Sequence, residues 1–112
     1  MKKKIADRWV AELRSGKYKQ ATDHLRTETD GFCCLGVLCN MHAEAHPSIA
    51  AKQTKPTQYM GHSCVLPIEV IKWAGMSSAT GSYNGGHLSR DNDCGANFNQ
   101  IAITIEEQWK NI

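Results

Sequence analysis

The sequence predicts an α+β fold in which three or four helices pack on a small, mostly antiparallel sheet. Amphipathic patterns near both ends of the chain predict helices, and a dense apolar run at residues 31–39 predicts a buried element between them. A turn signal, Thr-Asp-Gly at residues 29–31, predicts a pair of short strands. With 112 residues the chain has the length of one domain, so we expect residues 1–112 to form a single domain.

The first helix is predicted over residues 3–15. Its main apolar side chains recur at every fourth position and form one stripe: Ile5, Trp9 and Leu13. Gly16 follows as a residue type that adopts the left-handed conformation at helix ends. Beyond this helix we expect two short strands, near residues 23–28 and 31–34, on either side of the turn.

The second helix is predicted to begin at Leu35, where the apolar spacing becomes helical, and to end near His46, because a proline follows. Residues 47–61 are rich in Pro, Ser, Thr and Gln, and they predict a long loop. Loops of this length in a small domain are usually functional or mobile.

A short strand at residues 63–66 is predicted to precede a third helix, which opens at Pro67 and ends at Gly75. Residues 76–97 predict a second long loop. Asn97 then caps the last helix, with a reciprocal hydrogen bond to Gln100. The apolar stripe of this helix consists of Phe98, Ile101, Ala102, Ile105, Trp109 and Ile112.

Charge and hydropathy narrow the classes of partner. The formal net charge of +2 is too small to predict binding to a nucleic-acid polymer. Asp7 and Arg8 interrupt the segment after the N-terminal lysines, so we predict no signal peptide, and no apolar run approaches the ~20 residues of a membrane span. We therefore expect no membrane partner and a cytosolic protein, in which the five cysteines are thiols.

Cysteine and histidine residues are candidates for a nucleophile or a metal site. Adjacent Cys33 and Cys34 are more simply interpreted as small packed residues, and no histidine lies in a protease signature. Cys39, His42 and His46 share one predicted helix face and could bind zinc with a later ligand, but they lack the paired close ligands of known zinc motifs. We therefore predict no metal, no cofactor and no enzyme activity.

The types of polar residue in the chain are more typical of a ligand-binding site than of a catalytic site. Arginine binds phosphate through two hydrogen bonds, tyrosine stacks on bases, and Asn or Gln side chains read base edges. Such residues cluster after the first helix and again within residues 76–97. The predicted ligand-binding residues are Arg14, Tyr18, Gln20, Arg26, Tyr83, His87, Arg90, Asn92 and Asp93.

Four segments, read together, resemble a group of small, mostly uncharacterised proteins encoded by tailed bacteriophages and prophages. The most specific segment is Gly-Phe-Cys-Cys-Leu-Gly-Val-Leu-Cys at residues 31–39. The other matching residues are Trp9, Leu13, Arg14, Ser15, Gly16, Tyr18 and Gln20; Leu66, Pro67, Val70, Trp73, Ala74 and Gly75; and Phe98, Ile101, Ala102, Ile105, Glu106 and Trp109. The resemblance implies a phage accessory protein that is made in the host bacterial cytoplasm.

From the polar residues and the resemblance together, we expect a phage counter-defence protein. It would bind and sequester a small nucleotide immune signal, such as a cyclic oligonucleotide or an ADP-ribose derivative, as a homo-oligomer. Three alternatives stay open from the sequence. They are a protein-interaction module that inhibits or redirects a host defence protein, a Cys/His metal-binding domain, and an enzyme that depends on Cys33 or on a metal.

Overall fold

A computed structural model describes all 112 residues. The elements in chain order are α1 (Lys3–Arg14), β1 (Lys19–Gln20), β2 (Gly31–Phe32), α2 (Cys34–Ala45), α3 (Pro47–Ala50), α4 (Ile68–Ala74), β3 (Ser82–Tyr83), β4 (Gly86–His87), α5 (Leu88–Asp93), α6 (Phe98–Gln108) and a final 3₁₀ helix (Trp109–Asn111). The α+β class is confirmed. The six α-helices outnumber the predicted three or four, and each of the two sheets has only two strands.

The strands differ from the predicted antiparallel sheet. β1 and β2 pair in parallel, and only the β3–β4 hairpin is antiparallel. The strand predicted at residues 23–28 is wrong, because Arg26 there forms only a single bridge with Phe32. Thr27 explains the difference: its amide donates to the Gly31 carbonyl oxygen and its hydroxyl accepts from the Gly31 amide, at 2.8 and 2.9 Å. The segment therefore closes a loop instead of extending a ladder.

Residues 47–97 contain short elements that the sequence did not predict. Residues 63–66 form no strand, and the Leu66 amide bonds instead to the carbonyl oxygen of Ala79. The predicted loop at residues 76–97 contains β3, β4 and α5, and the predicted loop at residues 47–61 contains α3. Strands of two residues and helices of four to six residues are too short to show a hydrophobic period.

The helix ends confirm the predicted caps. Asn97 and Gln100 form a reciprocal capping box at the start of α6, in which each side-chain oxygen accepts from the backbone amide of the other residue. Gly16 and Gly75 lie after α1 and α4 in the left-handed region, with φ of +77° and +69°. A side chain is strained in this conformation, so glycine favours chain reversal at both positions.

The core is organised around α2, which is buried on nearly all sides between α1, α4 and α5. Cys33 and Cys34 are both buried, which confirms their interpretation as packed residues. Trp9 of α1 is fully buried, and its indole Nε1 donates to the carbonyl oxygen of Cys34 at 3.0 Å. α1 also packs along α6. No helix combines the length and the apolar character needed to cross a membrane.

Candidate functional site

One face of α2, together with β2 and residues 50–59, lines a cavity of about 340 Å³. Small residues on this helix face leave the space, since Gly36, Cys39 and Ala43 lie at positions i, i+3 and i+7. Asn40, at i+4, is the polar member of the same face. The volume is at the lower end of the ~300–1,000 Å³ typical of small-molecule pockets.

The base of the cavity depends on Gly36. The Leu25 backbone lies so close to this glycine that an added Cβ would overlap the Leu25 carbonyl oxygen. The Leu25 amide in turn donates to the carbonyl oxygen of Ser63 at 2.7 Å. Residues 25 and 26 therefore lie directly on α2, which places the Arg26 side chain at the cavity.

Arg26 and Phe32 form a stacked pair at the cavity wall. The guanidinium carbon lies 5.1 Å from the centre of the Phe32 ring, within the range of a cation–π contact. Arg26 also pairs with Asp30 at 2.6 Å, but the two side chains are 40% and 74% exposed. Exposed ion pairs contribute only ~0–1 kcal/mol, so an anionic ligand can displace Asp30 at small cost.

Residues 50–59 form a wall that is held by specific hydrogen bonds. Gln53 Oε1 accepts from the Met60 amide at 3.0 Å, and Gln53 Nε2 donates to the carbonyl oxygen of Gln58. The Tyr59 hydroxyl is hydrogen-bonded to His42 Nδ1 at 2.6 Å. Burial raises the pKa of Tyr59 to about 12, so this hydroxyl stays neutral.

The chemistry available in the cavity favours binding. Arg26 is the only charged side chain in the lining, which otherwise carries apolar, amide, hydroxyl and thiol groups. Burial raises the pKa of the Cys39 thiol, so it is neutral at physiological pH and a weak nucleophile. Asn40 joins the cavity to Tyr18, because its Nδ2 donates to the Tyr18 hydroxyl at 2.8 Å.

The predicted ligand-binding residues do not converge on one site. Arg26 lines the cavity, and Tyr18 contacts its wall through Asn40 and through the edge of the Phe32 ring, with ring centres 5.1 Å apart. Tyr18 also lines a separate, more open groove with Arg14 and Gln20. The exposed Arg14 guanidinium in that groove is hydrogen-bonded to a glutamate of α6.

The predicted residues of the second loop lie elsewhere on the molecule. Tyr83 lines an open groove and donates to Asp91 Oδ2 at 2.6 Å, and this hydrogen bond raises the pKa of Tyr83 to about 12. His87 is exposed, and its Nδ1 is hydrogen-bonded to Thr80 Oγ1 at 3.0 Å. Arg90 is exposed on α5.

Gln20 and Asn92 belong to a buried hydrogen-bond network. Asn92 is 1% exposed, and its Oδ1 accepts from Gln20 Nε2 at 2.9 Å and from the Cys34 amide at 3.1 Å. Asn92 Nδ2 donates to the carbonyl oxygen of Ala21 at 2.8 Å and to Asp93 Oδ1 at 3.3 Å. Every polar atom of the Asn92 side chain thus has a partner within the protein, and the network stabilises the fold.

The residues of the zinc alternative do not form a metal site. The His42 and His46 rings stack with their centres 4.1 Å apart, and His46 Nδ1 is hydrogen-bonded to the carbonyl oxygen of His42 at 2.8 Å. Cys39 lies instead at the cavity. No group of three or more His, Cys, Asp or Glu side chains is arranged to hold a metal ion.

Sequence reasoning missed Phe32, Asn40 and Tyr59 as cavity residues. Asn40 could have been identified from the sequence, because it is a lone amide residue within the otherwise apolar first part of α2. No sequence pattern identifies Phe32 or Tyr59 as a cavity residue, since each is brought to the cavity by contacts with distant parts of the chain.

The family model described as a domain of unknown function, DUF8296, matches residues 1–109. Comparison with curated proteins and with solved structures finds no match.

Proposed function

We propose that this chain, which belongs to the DUF8296 family, binds a small nucleotide-type ligand in the cavity between α2 and residues 50–59. The observation that carries the proposal is the stacked pair of Arg26 and Phe32 at the cavity wall. A guanidinium binds a phosphate through two hydrogen bonds, and aromatic rings provide stacking surfaces for bases. Both groups are half-buried, so they remain accessible to a ligand.

The charge around the cavity supports an anionic ligand. Arg26 is the only charged group of the lining, and Lys52 and Lys55 are exposed on the segment that forms the wall. Asp30 is the nearest opposing charge, and its exposed pair with Arg26 is weak. A phosphate can therefore replace the Asp30 carboxylate on the guanidinium without burying an unpaired charge.

We further propose that the ligand is held without being converted. The lining contains no carboxylate or imidazole for acid–base catalysis, and burial keeps the Cys39 thiol protonated. Such a site suits a protein that sequesters a nucleotide. The resemblance to phage proteins supports the narrower proposal that the ligand is a nucleotide signal of bacterial defence.

The test is isothermal titration calorimetry with a panel of mononucleotides, cyclic oligonucleotides and ADP-ribose. We expect at least one nucleotide to bind at one molecule per chain, and Arg26→Ala to weaken that binding by about tenfold or more, the loss expected for a charge-assisted hydrogen bond. Arg26→Lys retains the positive charge but cannot form two parallel hydrogen bonds to a phosphate. Its affinity should therefore lie between those of the wild type and Arg26→Ala. Chromatography of the ligand released by heating should recover it unchanged.

The matched control is Arg8→Ala. Arg8 is an exposed arginine of α1 that does not line the cavity, so this variant removes the same charge and should keep the wild-type affinity. Absence of binding across the panel would refute the proposal, and so would an equal loss of affinity in both alanine variants. Recovery of a hydrolysed ligand would refute the sequestering role alone.

A further inference from the structure

The side-chain amide of Asn40 is held in one orientation by Tyr18, which lies between α1 and β1, and by Glu44 of α2. Its Nδ2 atom donates to Glu44 Oε1 at 3.2 Å and to the Tyr18 hydroxyl at 2.8 Å. A carboxylate can only accept hydrogen bonds, so the group facing Glu44 must be the NH₂. The contact with Glu44 therefore determines which way the amide points, and both amide hydrogens are used.

Asn40 Oδ1 is the free end of this amide. It accepts no hydrogen bond from the protein, and it is not buried away from solvent. The residue lines the cavity, and because Nδ2 is engaged, Oδ1 is the polar atom of this side chain that is left for a ligand.

We infer that Asn40 selects a base that offers an amino group, as adenine does, over one that offers a carbonyl oxygen at the same position, as hypoxanthine does. This inference rests on the proposed nucleotide binding. An amino group would donate to Asn40 Oδ1, whereas a carbonyl would place two acceptors against each other and leave both without a partner. Sites built to bond a particular polar group reject the analogue that lacks it.

Glu44 is a positioning residue in this scheme, because it lies outside the cavity lining and acts through Asn40. The Tyr18 hydroxyl can donate as well as accept, so it does not by itself determine the amide orientation. Without the Glu44 carboxylate, Asn40 is free to turn its NH₂ toward the ligand. Loss of Glu44 should therefore relax the selectivity and leave the cavity itself intact.

The experiment compares the affinities of adenosine 5′-monophosphate and inosine 5′-monophosphate, measured by titration calorimetry. We expect the wild-type protein to prefer the adenosine nucleotide by about tenfold. In Glu44→Ala the preference should fall below about threefold, mainly because the inosine nucleotide binds more tightly. Glu44 is exposed, and circular dichroism would verify that the variant folds.

Arg8→Ala is again the matched control. Arg8 Nη2 pairs with Glu44 Oε2 at 3.0 Å, so this variant breaks the ion pair of Glu44 but leaves the contact with Asn40, and the preference should persist. Equal wild-type affinity for the two nucleotides would overturn the inference and leave the proposed function standing. An unchanged preference in Glu44→Ala would also overturn it. Failure of both nucleotides to bind would overturn the inference, whereas the proposed function would be refuted only by absence of binding across the whole nucleotide panel.

Discussion

Gln20 and Asn92 are 72 positions apart in the chain, and their side-chain amides are joined by a 2.9 Å hydrogen bond from Gln20 Nε2 to Asn92 Oδ1. The same Asn92 oxygen accepts from the amide of Cys34, the first residue of α2. The residue before α2, Cys33, provides no side-chain cap. Asn92 thus caps α2 from α5, and it holds in place the helix that carries the cavity.

Asn92→Ala should lower the free energy of unfolding by about 3 kcal/mol. The variant leaves the buried Cys34 amide and the partly buried Ala21 carbonyl oxygen without their partner, and a fully buried group of this kind costs ~1–3 kcal/mol. Urea denaturation would measure the change. Asn99→Ala, at an exposed position of α6, is the control and should change the stability by less than about 0.5 kcal/mol. A loss below about 1 kcal/mol in Asn92→Ala would contradict the capping role.

Gly36→Ala should destabilise the protein by at least about 3 kcal/mol or prevent folding, because the new Cβ would overlap the Leu25 carbonyl oxygen. The backbone of Leu25 cannot easily move away, since its amide is bonded to Ser63. Thermal and urea unfolding would measure the effect. Ala45→Ser, an exposed change at the end of the same helix, should be close to neutral. A stable Gly36→Ala protein would show that Leu25 does not contact α2 in this way.

Cysteine reactivity should divide the five thiols into two classes. Cys64 and Cys94 are exposed and should react rapidly with a thiol reagent at neutral pH. Cys33, Cys34 and Cys39 are buried, and burial raises the pKa of each, to about 11 for Cys33. They should react only after denaturation. A double variant, Cys64→Ser with Cys94→Ser, should have no fast phase, and a third rapidly reacting thiol would contradict the burial of one of Cys33, Cys34 and Cys39.

The stability of the protein should fall as the pH is lowered through the titration of His42. Burial lowers the pKa of His42, as does the neighbouring His46. Below about pH 6.5, the ordinary histidine value, the unfolded chain therefore binds the proton more readily than the folded protein. This contribution to stability is complete above pH 6.5 and is lost as the pH falls toward the lowered value of the folded state.

Urea denaturation at about pH 7.5 and about pH 5.5 would measure this effect. In His42→Gln the decrease in stability between the two pH values should be smaller than in the wild type. His24→Gln, which changes an exposed histidine, should keep the wild-type decrease. Equal pH dependence in all three proteins would show that His42 ionises as freely in the folded state as in the unfolded chain.

Helix positions were predicted well where the determinants are local. The capping box of Asn97 and Gln100 spans three residues, and Gly16 and Gly75 act on the turn immediately before them. The strands were predicted poorly because their partners are set by distant contacts. β1 pairs in parallel with β2, and hydrogen bonds of Thr27 to Gly31 close the loop between them, but no periodic pattern in a two-residue strand predicts that pairing.

Polar residues were the least predictable part of the candidate site. Asn92 and Gln20 have the side chains of ligand-binding residues, but the fold pairs them with each other and with backbone groups. Arg26 was predicted to bind a ligand and does line the cavity, whereas Asn40 was not singled out. A polar side chain can bond to protein or to ligand, and its sequence neighbours do not show which partner it meets.

The order of residues along the chain accounts for α1, α2 and α6, for the capping box of α6 and the glycine after α1, and for the burial of the Gly-Phe-Cys-Cys segment. These features depend on hydrophobic period and on residues within one or two helical turns. Three features are determined only by the tertiary structure: the cavity, the capping of α2 by the distant Asn92 side chain, and the orientation of the Asn40 amide. Those features depend on groups brought together from distant parts of the chain or on the direction of a single amide, and neither leaves a periodic pattern in the sequence.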